Sequence, residues 1–456
     1  MTKKAYYLGF VAFAALLAMS IVYYKERTIF SDMALYLFNI VKDGNFVFFH
    51  GRFIAAITEI FPLLAVKASF PLWVVALSYS LGVVIFNWVV YILCGSLFKR
   101  YDFAVLILFL NLLFVTDVFY WMISELLLGL ALLVLFFALL FQPRFNQFGL
   151  RSIFASLFFI PLLVWAHPMM LIAFSFTVLF FLFSKQQPIA KRTLYMTLVV
   201  YVLVSLIKRL FFTDDYDHGA YGGLRNFISL FPNYFTQFSQ KNFIKNCFHK
   251  YYWIPVLSIA NAFFYVRHKS WWKLILFMGY AVGFVMLVNI SFPGEETPDV
   301  YWENLYSPLV IIIGIPFVFD VLPTLQAKKL SGLIIAIIAI SGIVRISLYT
   351  PFKERLFWLQ TFLKQHQNEK LLLDKSQVPE RKLIMIWGTS YEFWLLSTIE
   401  NGQTASLIVS EDANALEWGT HNTKEWLSNW GAFPYKDLPS NYFKFTDTTS
   451  AYKMIK

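Results

Sequence analysis

Long apolar runs separated by short polar corners make up most of the chain, and the length of each run limits what it can form. Ala5 to Tyr24 supplies about 20 apolar residues, enough for one helix to cross a hydrocarbon core of roughly 30 Å. It ends at Tyr23-Tyr24-Lys25 without a small-residue cleavage site, which predicts a retained span and not a cleaved leader. Phe103 to Phe141 is too long for a single span, since about 39 residues of helix would reach roughly 58 Å. The polar corner Thr116-Asp117 with Tyr120-Trp121 marks where it folds back, and His167-Pro168 divides the run from Leu150 to Phe183 in the same way, because proline ends or kinks a helix. The pattern therefore predicts an all-α polytopic membrane protein of about eleven transmembrane helices, near 5–24, 72–96, 103–118, 121–141, 151–166, 168–184, 193–212, 251–266, 272–291, 306–322 and 331–349.

Three segments between spans are long enough to build a site: 25–71, 213–250 and 292–305. In the first, Ser31 is placed to cap a helix ending at Asp43-Gly44, and Arg52 to Phe61 predicts a second helix stopped by Pro62. Both should lie in the interfacial plane with Met33, Leu37, Ile40, Phe53, Ile57 and Phe61 turned toward lipid or the bundle. In the second, Gly219, Gly222 and Gly223 predict a mobile loop over 213–223. The third is acidic and aromatic. The pattern then changes: a helix from about Phe352 to Asn368 leads to Lys382–Trp387 as a strand, Ser390–Glu400 as a helix and Ala405–Val409 as a strand. Residues 1–350 thus form the transmembrane domain and 351–456 a small soluble α/β domain outside the membrane.

Composition and charge agree with this. Hydrophobic residues are 59% of the chain and charged residues 14%, where a soluble domain carries about 25% charged. With the N-terminus cytoplasmic, every inner loop is basic: Lys3 and Lys4, Lys99 and Arg100, Arg144 and Arg151, Lys185 with Lys191 and Arg192, Arg267 with Lys269 and Lys273, Lys328 and Lys329. This is the positive-inside pattern of a multi-pass protein of the cytoplasmic membrane, with the C-terminal domain extracytoplasmic. The net charge of +11 is then a topology signal aided by anionic lipid, and calls for no nucleic acid. Cys94 and Cys247 fall on opposite sides of the membrane, which excludes a disulfide. The chain holds no glycine-rich phosphate loop, no His-Glu-x-x-His and no Gly-x-Ser-x-Gly.

Ser31-Asp32-Met-Ala-Leu-Tyr36 followed by His50-Gly51-Arg52-Phe53, with Trp121-Met-Ile-Ser124-Glu125 and Asn304-Leu-Tyr306-Ser-Pro308 at outer span ends, resembles the GT-C superfamily of integral-membrane glycosyltransferases of bacterial type. The chain differs from many relatives in having Leu305-Tyr306 where they have Arg-Tyr, and one acid at Ser31-Asp32 where they have two. The resemblance implies transfer of a sugar from a polyprenyl-phosphate or pyrophosphate carrier to an acceptor hydroxyl of a glycan, lipid or protein on the outer face.

A carboxylate at the water–lipid boundary can take the acceptor proton, which makes Asp32 the candidate base, or else a cap for the helix beginning beside it. Lys208, Arg209 and Arg345 end spans on the outer side, where they either hold the donor phosphate or snorkel to headgroups. Arg52 either binds phosphate or pairs with Asp32 or Glu59. Tyr36, His50, Glu303 and Tyr306 complete the substrate-side candidates through their motifs. Glu125 is a boundary acid of the kind that marks function. Asp117 reads as a site acid or a turn residue, and His167 as a sugar or phosphate contact or a helix-end residue. Asp214, Asp215, Asp217 and His218 offer ligands for a divalent cation, the one cofactor suggested, or form a solvated acidic loop. Rival classes are a transporter or flippase for lipid-linked glycans, a polysaccharide polymerase or ligase, and a non-catalytic assembly protein. Transport calls for repeated halves and ionisable groups near the midplane, whereas the acids here gather at outer ends.

Overall fold

The computed structural model describes residues 3–122, 125–184, 188–212, 222–325, 328–366, 369–421 and 423–455. A helix lies at each of the eleven expected positions: Lys3–Val22, Leu72–Ile92, Tyr101–Leu112, Glu125–Leu140, Leu150–Ala166, Met170–Leu182, Lys191–Phe211, Trp253–Arg267, Trp271–Ser291, Pro308–Pro316 and Lys328–Ser347. Among the described residues, four helical stretches are long and apolar enough to cross a membrane: Leu72–Leu97, Lys191–Phe211, Trp271–Ser291 and Lys329–Gln365. A fifth arises if Asp299–Leu305 and Pro308–Thr324, bent by 45°, count as one broken span. The remaining apolar helices are shorter.

Burial explains part of the larger number that the pattern yields. From Phe103 to Leu113 every side chain except Asn111 is buried within the protein, and such a helix is apolar all round, like one facing lipid. The Tyr101–Leu112 helix stops well short of residue 118 because the Leu112 and Val115 carbonyls turn to the Arg345 guanidinium, whose Nη2 donates to them at 2.7 and 3.2 Å. A four-residue helix, Asp117–Tyr120, follows, and the next long helix begins at Glu125.

The first outer segment departs from expectation at both helices. The Ser31–Asp43 helix has Phe30 as its N-cap and no side-chain cap bond, so neither Ser31 nor Asp32 caps it. Its C-terminus follows the pattern, with Gly44 left-handed at φ 61 accepting the turn. The second helix runs Ala56–Lys67, straight through Pro62. Proline there removes the bond to the Thr58 carbonyl, and that oxygen faces Gly82 of the neighbouring helix, where a Cβ would approach it to 3.1 Å. The apolar face of the Ser31 helix turns into protein and not lipid: Met33, Leu37, Phe38 and Ile40 are all fully buried.

What covers that face is the C-terminal region. After the Pro351–Gln365 helix come β1 (Lys370–Asp374), the Thr389–Asn401 helix and β2 (Ser406–Ser410); β3 (Glu425–Ser428) and β4 (Gly431–Pro434) form a hairpin, and β5 (Lys453–Ile455) closes the chain. The three-stranded sheet has order β2-β1-β5, with β1 parallel to both neighbours. The helix and second strand match expectation, but the first strand is Lys370–Asp374 and not Lys382–Trp387. Residues 380–383 form a helical turn instead, Leu383 and Ile386 plug into the core, and the Met385 carbonyl accepts from Arg355. Phe38 inserts among Tyr391, Trp394, Trp426, Phe433 and Phe443 at centroid distances of 4.9 to 5.6 Å. The C-terminal unit is thus built onto the helix that carries Asp32.

Candidate functional site

Asp32 lies in the first turn of the Ser31–Asp43 helix, half-buried, with its Oδ2 accepting from the Trp121 indole Nε1 at 2.7 Å. Burial lifts its carboxyl to about 7; the Trp121 bond opposes the shift, and the nearby Glu125 and Glu392 charges add to it. One turn on, the Tyr36 hydroxyl donates to Glu125 Oε1 at 3.3 Å, and Arg52 Nη1 reaches Glu125 Oε2 at 3.4 Å. Asp32, Tyr36, Arg52 and Glu125, drawn from three separate segments, are therefore brought together. Glu59 belongs to the same neighbourhood, anchored by the Val47 amide at 2.8 Å and within electrostatic reach of Glu125. Buried Tyr79, from the Leu72–Ile92 helix, sits within reach of all three carboxylates. It is missed by a motif reading because a tyrosine inside an apolar span carries no signal.

Trp121 is fixed by the short helix before it. Glu303 Oε1 accepts the Thr116 and Val118 amides at 2.6 and 2.9 Å, capping the Asp117–Tyr120 helix at its positive end. Buried Arg27 holds the other end by donating to the Phe119 carbonyl, while its Nε and Nη2 bind Ser80 at 2.9 Å. A carboxylate before the helix and a guanidinium after it complement the helix dipole. Trp121 also packs on Tyr301, ring centroids 5.5 Å apart.

A second cluster lies on the other side of that helix. Lys250 donates to Asp117 Oδ2 at 2.9 Å, to Asp299 Oδ2 at 3.1 Å and to the Tyr349 hydroxyl at 3.3 Å, and Tyr349 in turn donates to Asp117. Burial alone would lower the Lys250 ammonium, but the Asp117, Asp299 and Glu303 charges outweigh it and hold the group charged. Asp117 is thus more than a turn residue, while Glu303 serves as a helix cap. Arg345 binds backbone carbonyls and, through Nε at 3.1 Å, the Thr116 hydroxyl. Tyr306 is buried and donates to Asn289 Oδ1, remote from Asp32 in the hydrogen-bond network.

On the Arg52 side, His167 lies within electrostatic reach of Arg52 and Lys208, and its Nδ1 accepts the Met169 amide at 3.1 Å, which leaves the proton on Nε2 when the ring is neutral. Lys208 Nζ approaches the Val164 carbonyl at 3.5 Å, and Arg209 follows it, exposed. His50 adopts φ 55 in the tight corner before Gly51. Asp214, Asp215, Asp217 and His218 fall outside the described residues, as does most of the expected 213–223 loop; Gly223 is described, pressed against the Ser291 backbone. Among the described residues no group of three or more His, Cys, Asp and Glu side chains is arranged to hold a metal.

The C-terminal unit reaches this site directly. Glu392 Oε1 accepts the Ser31 amide at 2.5 Å, and both its oxygens accept from Arg355 Nη2. A buried carboxylate from residue 392 therefore holds the backbone one residue before Asp32. Neither Arg355 nor Glu392 stands out in sequence, since the pairing spans two elements. Compared with known proteins, the chain matches no family model, no curated protein and no solved structure.

Proposed function

We propose that the chain is a multi-pass membrane glycosyltransferase that moves a sugar from a polyprenyl-phosphate or pyrophosphate donor to an acceptor hydroxyl on the outer face, with Asp32 as general base. The observation that carries this reading is the state of Asp32. Its carboxyl is raised to about 7 by burial, oriented by the Trp121 indole, and set beside Tyr36, Glu125 and Arg52 on a helix between the bundle and the C-terminal unit. A base works best when its acidity lies near the working pH.

In this scheme the acceptor oxygen bonds to the sugar's anomeric carbon as its proton passes to Asp32. The anomeric C–O bond to phosphate breaks, and its electron pair leaves on the carrier. Arg52 and Lys208, grouped around His167, are placed to receive the phosphate, with Arg209 at the rim. An eleven-span topology, N-terminus cytoplasmic and residues 351–456 outside, belongs to the same proposal, as does residence in the cytoplasmic membrane.

The test is to incubate purified full-length protein with a panel of polyprenyl-phosphate and polyprenyl-pyrophosphate sugars and candidate hydroxyl acceptors, following release of the sugar-free carrier. Acceptor-dependent release from at least one donor is expected. Binding or vesicle-to-vesicle movement of lipid-linked glycan with no release from any donor would contradict the reading and support transport.

A further inference from the structure

A cavity of about 1020 Å³ lies at the end of the bundle away from Asp32. Its walls come from the far ends of helices that begin near the site: Phe141 closes the helix starting at Glu125, Phe180 and Phe181 belong to the helix starting at Met170, and Asp320 follows the one starting at Pro308. Phe141, Phe180, Phe181 and Phe319 line it deeply, with rings 5.0 to 5.9 Å apart. Polar groups occupy the same space. Lys273 Nζ donates to both oxygens of Asp320 at 2.7 and 3.0 Å, and the Tyr265 hydroxyl donates to Asp320 Oδ2 at 2.8 Å.

The Asp320 charge is thereby matched from within the protein, and it is the only carboxylate among the described lining residues. Of the cations around it, Lys273 is paired with Asp320 and Arg100 with Asp102, so Lys269 is the surplus positive charge among the described lining residues. Arg100 is held in a fixed orientation by Asp102, bidentate at 3.0 and 2.5 Å, with its guanidinium 4.1 Å from the Phe141 ring centroid. Lys269 and His268 stand exposed at the rim, beside Trp271 and Trp272, which are 53% and 73% exposed. Paired tryptophans at a helix end are the side chains that settle at the headgroup level of a bilayer. The helix they open, Trp271–Ser291, is one of the four long enough to cross a membrane.

Aromatic depth, a cationic rim and an interfacial tryptophan pair together match one kind of ligand, a phosphate-bearing amphiphile entering from the membrane. We infer that this cavity binds the headgroup of an anionic phospholipid, its phosphate at the Arg100–Lys269–Lys273 rim and its chains against Trp271, Trp272 and Phe264. Basic pockets between membrane helices recognise acidic headgroups in this way, and the volume is at the upper end of ligand cavities, typically about 300 to 1,000 Å³. The inference is independent of sugar transfer.

The experiment is a titration of the purified full-length chain in detergent, counting retained lipid by native mass spectrometry. Phosphatidylglycerol, phosphatidylcholine with the same acyl chains, and soluble glycerol phosphate are compared. Phosphatidylglycerol should be retained saturably and about tenfold more tightly than phosphatidylcholine, with glycerol phosphate weaker still. Lys269→Glu should abolish most of that preference without lowering the unfolding temperature, since the residue is exposed, whereas Arg192→Glu, exposed but outside the cavity, should not. Equal retention of the two lipids, binding of glycerol phosphate as tight as that of phosphatidylglycerol, or equal effects of the two substitutions would each overturn it.

Discussion

Two opposed effects set the acidity of Asp32. Burial and the neighbouring acids push its carboxyl up, and the Trp121 indole N–H, which bonds best to the ionised form, pulls it down, the balance falling at about 7. Trp121→Phe removes the donor and keeps a ring, so the acid limb of the pH–rate profile should move to higher pH; an unshifted limb would separate Trp121 from the base. Stability carries the opposite sign. A carboxyl raised above its unfolded value of about 3.9 favours the folded state at low pH, and that contribution is lost as pH rises through about 7. Thermal unfolding of Asp32→Asn should therefore gain on the wild type above pH 7 and converge with it near pH 4. Four of the residues singled out by motif, Asp32, Tyr36, Arg52 and Glu125, do meet in space. Arg345 shows what a sequence cannot report: a helix-end arginine reads as a phosphate ligand or as a snorkelling cation, yet its partners are the Thr116 hydroxyl and carbonyls exposed by the early end of another helix. Arg345→Ala should accordingly lower the unfolding temperature more than it weakens donor binding.

At the scale of elements, the Ser31–Asp43 helix is the joint of the molecule. The sequence pattern leaves its apolar face open to either lipid or the bundle, as for a short amphipathic helix next to a span. The aromatic residues that cover Phe38 are more than 350 positions away, beyond the reach of any local pattern. Phe38→Ala should cost about 3–5 kcal/mol, as loss of a buried phenylalanine does. Limited proteolysis should then cut within 351–456, where the wild type resists. Glu392→Gln leaves the buried Arg355 charge without its counter-ion, a loss of about 3–5 kcal/mol. The neutral amide oxygen also accepts the Ser31 N–H less strongly than the carboxylate does, so turnover should fall even where the protein stays folded. The strand at Lys370–Asp374 is hidden from the sequence pattern for a related reason. An apolar run of only three leucines between Lys370 and Asp374 cannot be told from helix by periodicity, and only pairing with Ser406–Ser410 decides it.

For the whole molecule, class was legible and count was not. Apolar runs with polar corners gave helices at every expected position, while four or five of them satisfy the length and composition of a span. The rest are shorter; three of them, Tyr101–Leu112, Glu125–Leu140 and Met170–Leu182, are mostly buried, and a helix enclosed by protein has the same apolar surface as one enclosed by lipid. The basic ends of the bundle predict that a reporter fused after Lys456 is active only outside the cytoplasm; cytoplasmic activity would reverse the orientation and place Asp32 on the wrong side for an externally exposed acceptor. The most direct test of the central claim is the sugar-transfer rate of Asp32→Asn across pH. The substitution keeps volume and the Trp121 contact but cannot accept a proton. Turnover should drop by roughly 10² to 10⁴, and the limb near pH 7 should vanish while the folded protein still retains donor. An Asp32→Asn protein that transfers sugar at near-normal rate, with the limb intact, would contradict the account.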